Sequence, residues 1–156
     1  MGMMHKAMGA VIVLGAALAL AAAPRRVAPA QAAQNEEPVP AFHEQAPKDE
    51  LPATMSPLTF PDILVQNAYI VAARIKKTLY QEPCYCHCDQ SQGHGSLLDC
   101  FVSRHGAGCN LCMSEAFYSY EQLKKGKTAA QIREGIIKGE WQKVDLKKYQ
   151  SALPAK

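Results

Sequence analysis

Pro83-Cys84-Tyr85-Cys86-His87-Cys88, followed by Cys100 and by Cys109-Asn110-Leu111-Cys112, holds all six cysteines of a 156-residue chain. Three of its five histidines, His87, His94 and His105, fall in the same window. From Gln81 to Gly95 the chain has Pro83, Gly93 and Gly95 and no helical period, which predicts a loop. Such a loop must be held by something other than an apolar core.

Helical patterns flank it. Upstream, Phe60-Pro61-Asp62 makes a good first turn for the apolar run Ile63, Leu64, Val65, Ala68, Tyr69, Val71, Ala72 and Ile75. Gln66, Asn67, Arg74, Lys76 and Lys77 interrupt that run, which marks a core helix and not a membrane span. A second helix is expected from Ser96, with Asp99 completing a capping box and Leu97, Cys100 and Phe101 on one face. His105-Gly106-Ala107-Gly108 ends it. A third runs from about Cys109 to Lys125 with a stripe of Cys109, Cys112, Ala116, Tyr120 and Leu123. Thr128 and Gln131 cap a fourth, whose inward residues are Ile132 and Ile136. Beyond Gly139, Trp141, Val144, Leu146 and Tyr149 are too scattered for a regular element. The expected fold is therefore all-α, a small domain of about four short helices with the cysteine-rich loop packed on helix N-termini.

The remaining segments divide the chain into 1–32, 33–55, 56–150 and 151–156. Residues 1–32 read as an export signal, with Lys6 before an apolar run from Ala7 to Ala23 and small residues at Ala30-Gln31-Ala32. The competing reading is an uncleaved membrane anchor, which Arg25 and Arg26 favour slightly. Residues 33–55 are rich in Pro and acids without apolar periodicity, and are expected as a disordered or extended tether. Residues 151–156 are a tail. The expected location is periplasmic or extracellular, with no membrane contact once the signal is removed. Removing 1–32 takes away Lys6, Arg25 and Arg26 and no acid, so the 17 basic residues fall to 14, equal to the 14 acidic ones. A neutral mature chain gives no reason to expect nucleic acid as a partner.

Four chemistries compete for the cysteines. Cys86-x-Cys88 and Cys109-x-x-Cys112, 20 residues apart, approach the spacing of paired-cysteine metal sites. The denser Cys-x-Cys-x-Cys run suits soft monovalent metals. Zinc or copper(I) are the expected ions. The candidate ligands are Cys84, Cys86, Cys88, Cys100, Cys109 and Cys112, with His94 and His105 able to replace a sulfur. An even cysteine count in a small exported domain alternatively predicts a disulfide-stapled interaction module. Cys109-Asn110-Leu111-Cys112 at a helix start also fits a thiol redox protein. Haem attachment fails, because Met113 and not His follows Cys112. No Ser-His-Asp order, phosphate-binding glycine loop or paired carboxylates suggest another catalytic function, so no catalytic residue is assigned. Within the metal reading, Cys109 and Cys112 are the expected anchor, since a helix sets their direction. Tyr85 is expected as a cover over the sulfurs.

Pro83-Cys84-Tyr85-Cys86-His87-Cys88, Gly93 to Phe101, His105 to Cys109 and Cys112 resemble the bacterial PCYCGC-motif, or CYCXC, family over roughly residues 60–138. The resemblance implies an exported or lipid-anchored protein. No cysteine precedes Cys84, so a lipid anchor through an N-terminal thioether has no site here. Some members are predicted to carry selenocysteine at a motif position, which implies redox or soft-metal chemistry. His87 stands where the motif has Gly, which argues against a strict need for positive φ there.

Overall fold

The computed structural model describes residues 38–151 and 153. All regular structure among them is helical. Helix α1 is Ile63–Arg74, α2 Lys76–Leu79, α3 Cys88–Gln92, α4 Asp99–Val102, α5 Asn110–Lys124 and α6 Ala129–Ile137, with 3-10 turns at Pro57–Thr59, His105–Gly108, Glu140–Lys143 and Leu146–Tyr149. The expected all-α fold is present. The signal peptide and the membrane anchor weighed against it lie outside the described residues. Among the described residues no helix is long and apolar enough to cross a membrane.

Helix α1 starts where Asp62 accepts the Leu64 N–H at 2.7 Å. Its buried Val65, Ala68, Tyr69 and Ala72 recur at the spacing of one helix face. Tyr69 lies between Phe60 and Phe101, with ring centroids at 4.4 and 5.2 Å, and donates its hydroxyl to the Ser103 carbonyl at 2.7 Å. The tyrosine thus stays completely buried with its polar tip satisfied. Leu79, Leu97, Leu98, Phe101, Ala116 and Phe117 complete this core, and Cys84, Cys88, Cys100 and Cys112 belong to the same cluster. Sulfur is continuous with the hydrocarbon interior.

A smaller cluster, Tyr118, Ile132 and Ile136, joins α5 to α6. The predicted capping box at Thr128 is formed in both directions. Burying Ile132 and Ile136 completely stabilises this pair of helices by about 2 kcal/mol per side chain. Gly135 lets the helices approach, since a Cβ there would run into the Tyr118 hydroxyl. That hydroxyl donates to Glu140 Oε2 at 2.6 Å.

Several boundaries differ from expectation. Regular α4 begins at Asp99, because the Asp99 carboxylate reaches back to the N–H groups of Gly95 and Ser96 (2.7 and 3.2 Å) and holds those residues in a turn. On α5 the buried face takes in Met113, Phe117, Tyr118 and Ser119 beside Cys112 and Ala116, while Leu123 is exposed. Two layers cover α5, so a single stripe underestimates its buried width. The scattered apolar residues after Gly139 are used one by one: Tyr149 stacks on Phe117 at 3.6 Å, and Asn67 of α1 donates to the carbonyls of Tyr149 and Ser151 at 2.8 and 2.7 Å. Leu153, in the expected tail, also packs on the core.

Residues 38–55, expected as a disordered or extended tether, have no helix or strand but lie against the domain as a strap. His43 stacks on Tyr80 (3.9 Å, 7°), Phe42 lies under the Arg133 guanidinium at 4.6 Å, and the Ala41 N–H donates to Asp89 at 3.1 Å. Lys76 donates to the carbonyls of Leu51 and Pro52, and the Met55 N–H to that of Phe101 at 2.9 Å. Such contacts involve isolated aromatic and backbone groups, so they leave no periodicity to read.

Candidate metal centre

The cysteine loop is closed at its base by backbone bonds from Leu97 N–H to Glu82 O and from Leu98 N–H to Leu79 O, at 2.9 and 3.3 Å. Inside it, Cys84 O accepts from His87 N–H, and His87 then takes φ 53°, ψ 36°. This left-handed turn starts α3 at Cys88. The need for positive φ at the motif's glycine position therefore holds here, and a histidine meets it at a cost of about 1–2 kcal/mol. Cys100 enters from α4, and Gly106 brings the His105 turn close to it: a Cβ there would lie 3.0 Å from the Cys100 carbonyl oxygen and 3.1 Å from the Phe101 ring. Cys109 is the N-cap of α5, its sulfur facing the Cys112 N–H at 3.5 Å, and Cys112 sits one turn on.

All eight expected residues come together. Cys84 Sγ is 3.4 Å from the sulfurs of both Cys86 and Cys112, Cys86 and Cys112 are 3.6 Å apart, and Cys88 and Cys100 are 3.4 Å apart. His105 Nε2 lies 3.4 Å from Cys86, and His94 Nδ1 lies 3.4 Å from Cys100. The two imidazoles meet edge to face at 5.2 Å. None of the six cysteines is in a disulfide. Their spacing is far longer than the sulfur–sulfur bond of about 2.05 Å and just short of the ~3.8 Å between two sulfurs held tetrahedrally by one zinc. Two compact groups stand out, each with its ligand atoms all within 4.8 Å of one another: Cys86, His105, Cys109 and Cys112, and Cys84, Cys88 and Cys100. Two atoms bound to one ion at about 2.3 Å can be no more than about 4.6 Å apart, so groups gathered within 4.8 Å need only a small contraction to reach the dimensions of a coordination shell.

Burial differs across the cluster. Cys84, Cys88, Cys100 and Cys112 are buried, while Cys86, Cys109, His94 and His105 are half-buried. The sulfurs share protons unequally. Contact with Cys84 brings Cys86 down to about 5 against the effect of burial, with the His105 ring adding to the fall. Contact with Cys112 brings Cys109 down to about 7. Cys88 is lowered by Cys100 and Cys84. Cys112 is pushed up by Cys100 and Cys109, and His105 is raised by its bond to Cys86. At Cys84 the downward pull of Cys100 is outweighed by Cys112, Cys86, Cys88 and burial; Cys100 is likewise raised, Cys84, Cys88 and burial outweighing Cys112. A lowered sulfur faces a raised one at Cys84–Cys86, Cys86–Cys112 and Cys88–Cys100, while Cys84 and Cys112, both raised, also meet at 3.4 Å.

Two residues of the site's surroundings were not expected. Glu115, one turn after Cys112, is completely buried and accepts the Tyr85 N–H at 2.8 Å, fixing the loop between Cys84 and Cys86. Glu82 is also completely buried, at the loop's base. Burial pushes both carboxyls up to about 8. The i, i+3 relation of Cys112 and Glu115 was legible, but a glutamate on a buried face reads as solvated until its partner is known. Tyr85, expected as a cover over the sulfurs, packs on the α5–α6 cluster of Tyr118, Ile132 and Ile136.

No curated protein and no solved structure matches the chain. A family model described as a protein of unknown function with PCYCGC motif matches residues 11–144. The motif that names this family is the loop carrying Cys84, Cys86 and Cys88, and this chain belongs to the PCYCGC family.

Proposed function

We propose that the chain is an exported metal-binding protein that holds zinc or copper(I) through clustered thiolates. The observation that carries this reading is the convergence of six unbonded sulfurs and two imidazoles, from the loop, α3, α4, the His105 turn and the start of α5, with five of the sulfurs and both imidazoles in contacts of 3.4–3.6 Å and Cys109 within 4.8 Å of Cys86, His105 and Cys112. Apolar packing alone gives no reason to gather every cysteine of a chain in one place. A soft or borderline cation between them does, because it replaces the shared protons and neutralises the thiolates. The half-buried edge formed by Cys86, His105 and Cys109 would let an ion enter or leave, which suits storage or delivery as well as structural support. Export rests on Lys6, the apolar run from Ala7 to Ala23 and the small residues at Ala30 and Ala32.

A thiol redox role is supported by one feature, the lowered Cys109 at the N-cap of α5 with Cys112 behind it. Intact mass, native and denatured, of protein purified from an oxidising compartment separates the readings. Bound metal with six free thiols is the expected result. A loss of six hydrogens without metal would replace it with the disulfide-stapled module. A single labile disulfide between Cys109 and Cys112 would favour the redox role.

A further inference from the structure

Seven of the eight donors divide into two compact groups. Cys86, His105, Cys109 and Cys112 form one compact group with three sulfurs and one imidazole nitrogen. Cys84, Cys88 and Cys100 form the other, and His94 lies just outside that group with Nδ1 3.4 Å from Cys100, where a small side-chain movement brings in the matching nitrogen. We infer that the cluster is built for two divalent ions of the zinc class side by side, each in a Cys3His shell, with Cys84 and Cys112 meeting at the seam. This deepens the metal-binding reading and rests on it.

The loop's geometry explains the division. Alternate cysteines of Cys84-Tyr85-Cys86-His87-Cys88 go to opposite sets, Cys86 to one and Cys84 with Cys88 to the other. A regular strand would point all three the same way. The left-handed turn at His87 and the start of α3 at Cys88 send Cys88 to Cys100 and leave Cys86 beside His105. The seam is equally definite, with Cys84 Sγ at 3.4 Å from both Cys86 and Cys112.

Coordination number and charge both favour this occupancy. One tetrahedral ion would leave four of the eight donors unused, two or more of them sulfurs in or beside the apolar core. Two divalent ions reduce the six negative charges of the thiolates to two, whereas two monovalent ions leave four. The ionisable side chains buried beside the loop, Glu82 and Glu115, are acidic and offer no positive charge. A sulfur-rich interior of this kind disfavours residual negative charge.

The test adds zinc anaerobically to the reduced full chain and counts ions by native mass spectrometry. Two zinc ions per chain are expected, with His105→Ala/Cys109→Ser keeping one and Cys88→Ser/Cys100→Ser keeping one. Since the sulfur variants disturb packing, His94→Ala and His105→Ala are also titrated with cobalt(II), reading the sulfur-to-cobalt absorption. Each should weaken one of two binding steps about tenfold or more and leave the other within about twofold. Saturation of the wild-type chain at one zinc ion, or a single cobalt step weakened equally by both histidine variants, overturns the two-shell division but leaves metal binding standing. No bound ion in the wild-type chain overturns both.

Discussion

The α5–α6 pair and the cysteine loop meet at Tyr85 and are held by opposite means. Helix α6 has a two-way capping box, two completely buried isoleucines, and a glycine that admits Tyr118. Each device is local or periodic, and each works without a ligand. The loop from Gln81 to Gly95 has a five-residue helix, a left-handed histidine and no apolar face; its interior is sulfur. The difference teaches where a bound ion matters. Metal should organise the loop and leave the α5–α6 packing as it is.

The largest expected effect is that of Cys109→Ser/Cys112→Ser. It removes the helix-borne pair, should abolish ion binding in that half of the cluster, and should cost about 4 kcal/mol or more. Denaturant unfolding with metal analysis reads both. If the double variant keeps its full metal content, the loop alone forms the site and the comparison fails. Gly135→Ala attacks the other side: the new methyl meets the Tyr118 hydroxyl and should cost about 2 kcal/mol while metal content stays unchanged. Loss of metal in that variant would mean that the two regions are not separable.

His43→Ala removes the stack on Tyr80 and should lower stability by about 1 kcal/mol. An unchanged melting curve would return residues 38–55 to the role of a passive tether. The smallest effect is expected at His87→Gly. Glycine relieves the left-handed strain but is more flexible when unfolded, so the change should lie between neutral and about 1 kcal/mol stabilising, with metal content retained. A clear destabilisation would show that the imidazole, and not the backbone, is what matters at this position.

Legibility in the sequence follows the same line as the comparison. Helices α1, α5 and α6 were readable because Asp62 and the Thr128/Gln131 box punctuate 3.6-residue apolar periods. The eight donors were readable because chemistry, not periodicity, marks them. What escaped was whatever depends on a partner distant in the chain. His43 meets Tyr80, Tyr149 meets Phe117, and the side chain of Tyr85 turns to α6 although its neighbours are cysteines. The left-handed backbone at His87 was concealed by a side chain that rarely adopts it. The separation of these cysteines into two compact groups was equally hidden, since alternation along Cys84-Tyr85-Cys86-His87-Cys88 becomes separation in space only once that turn is in place.

X-ray absorption on the zinc-loaded, reduced full chain tests the central claim, that thiolates hold the metal, most directly. The account predicts a first shell dominated by sulfur at about 2.3 Å with a minor nitrogen component at about 2.0–2.1 Å, in a ratio near three to one. A shell of oxygen and nitrogen without sulfur would contradict it, placing the metal elsewhere on the protein and leaving the cysteine cluster to redox or disulfide chemistry.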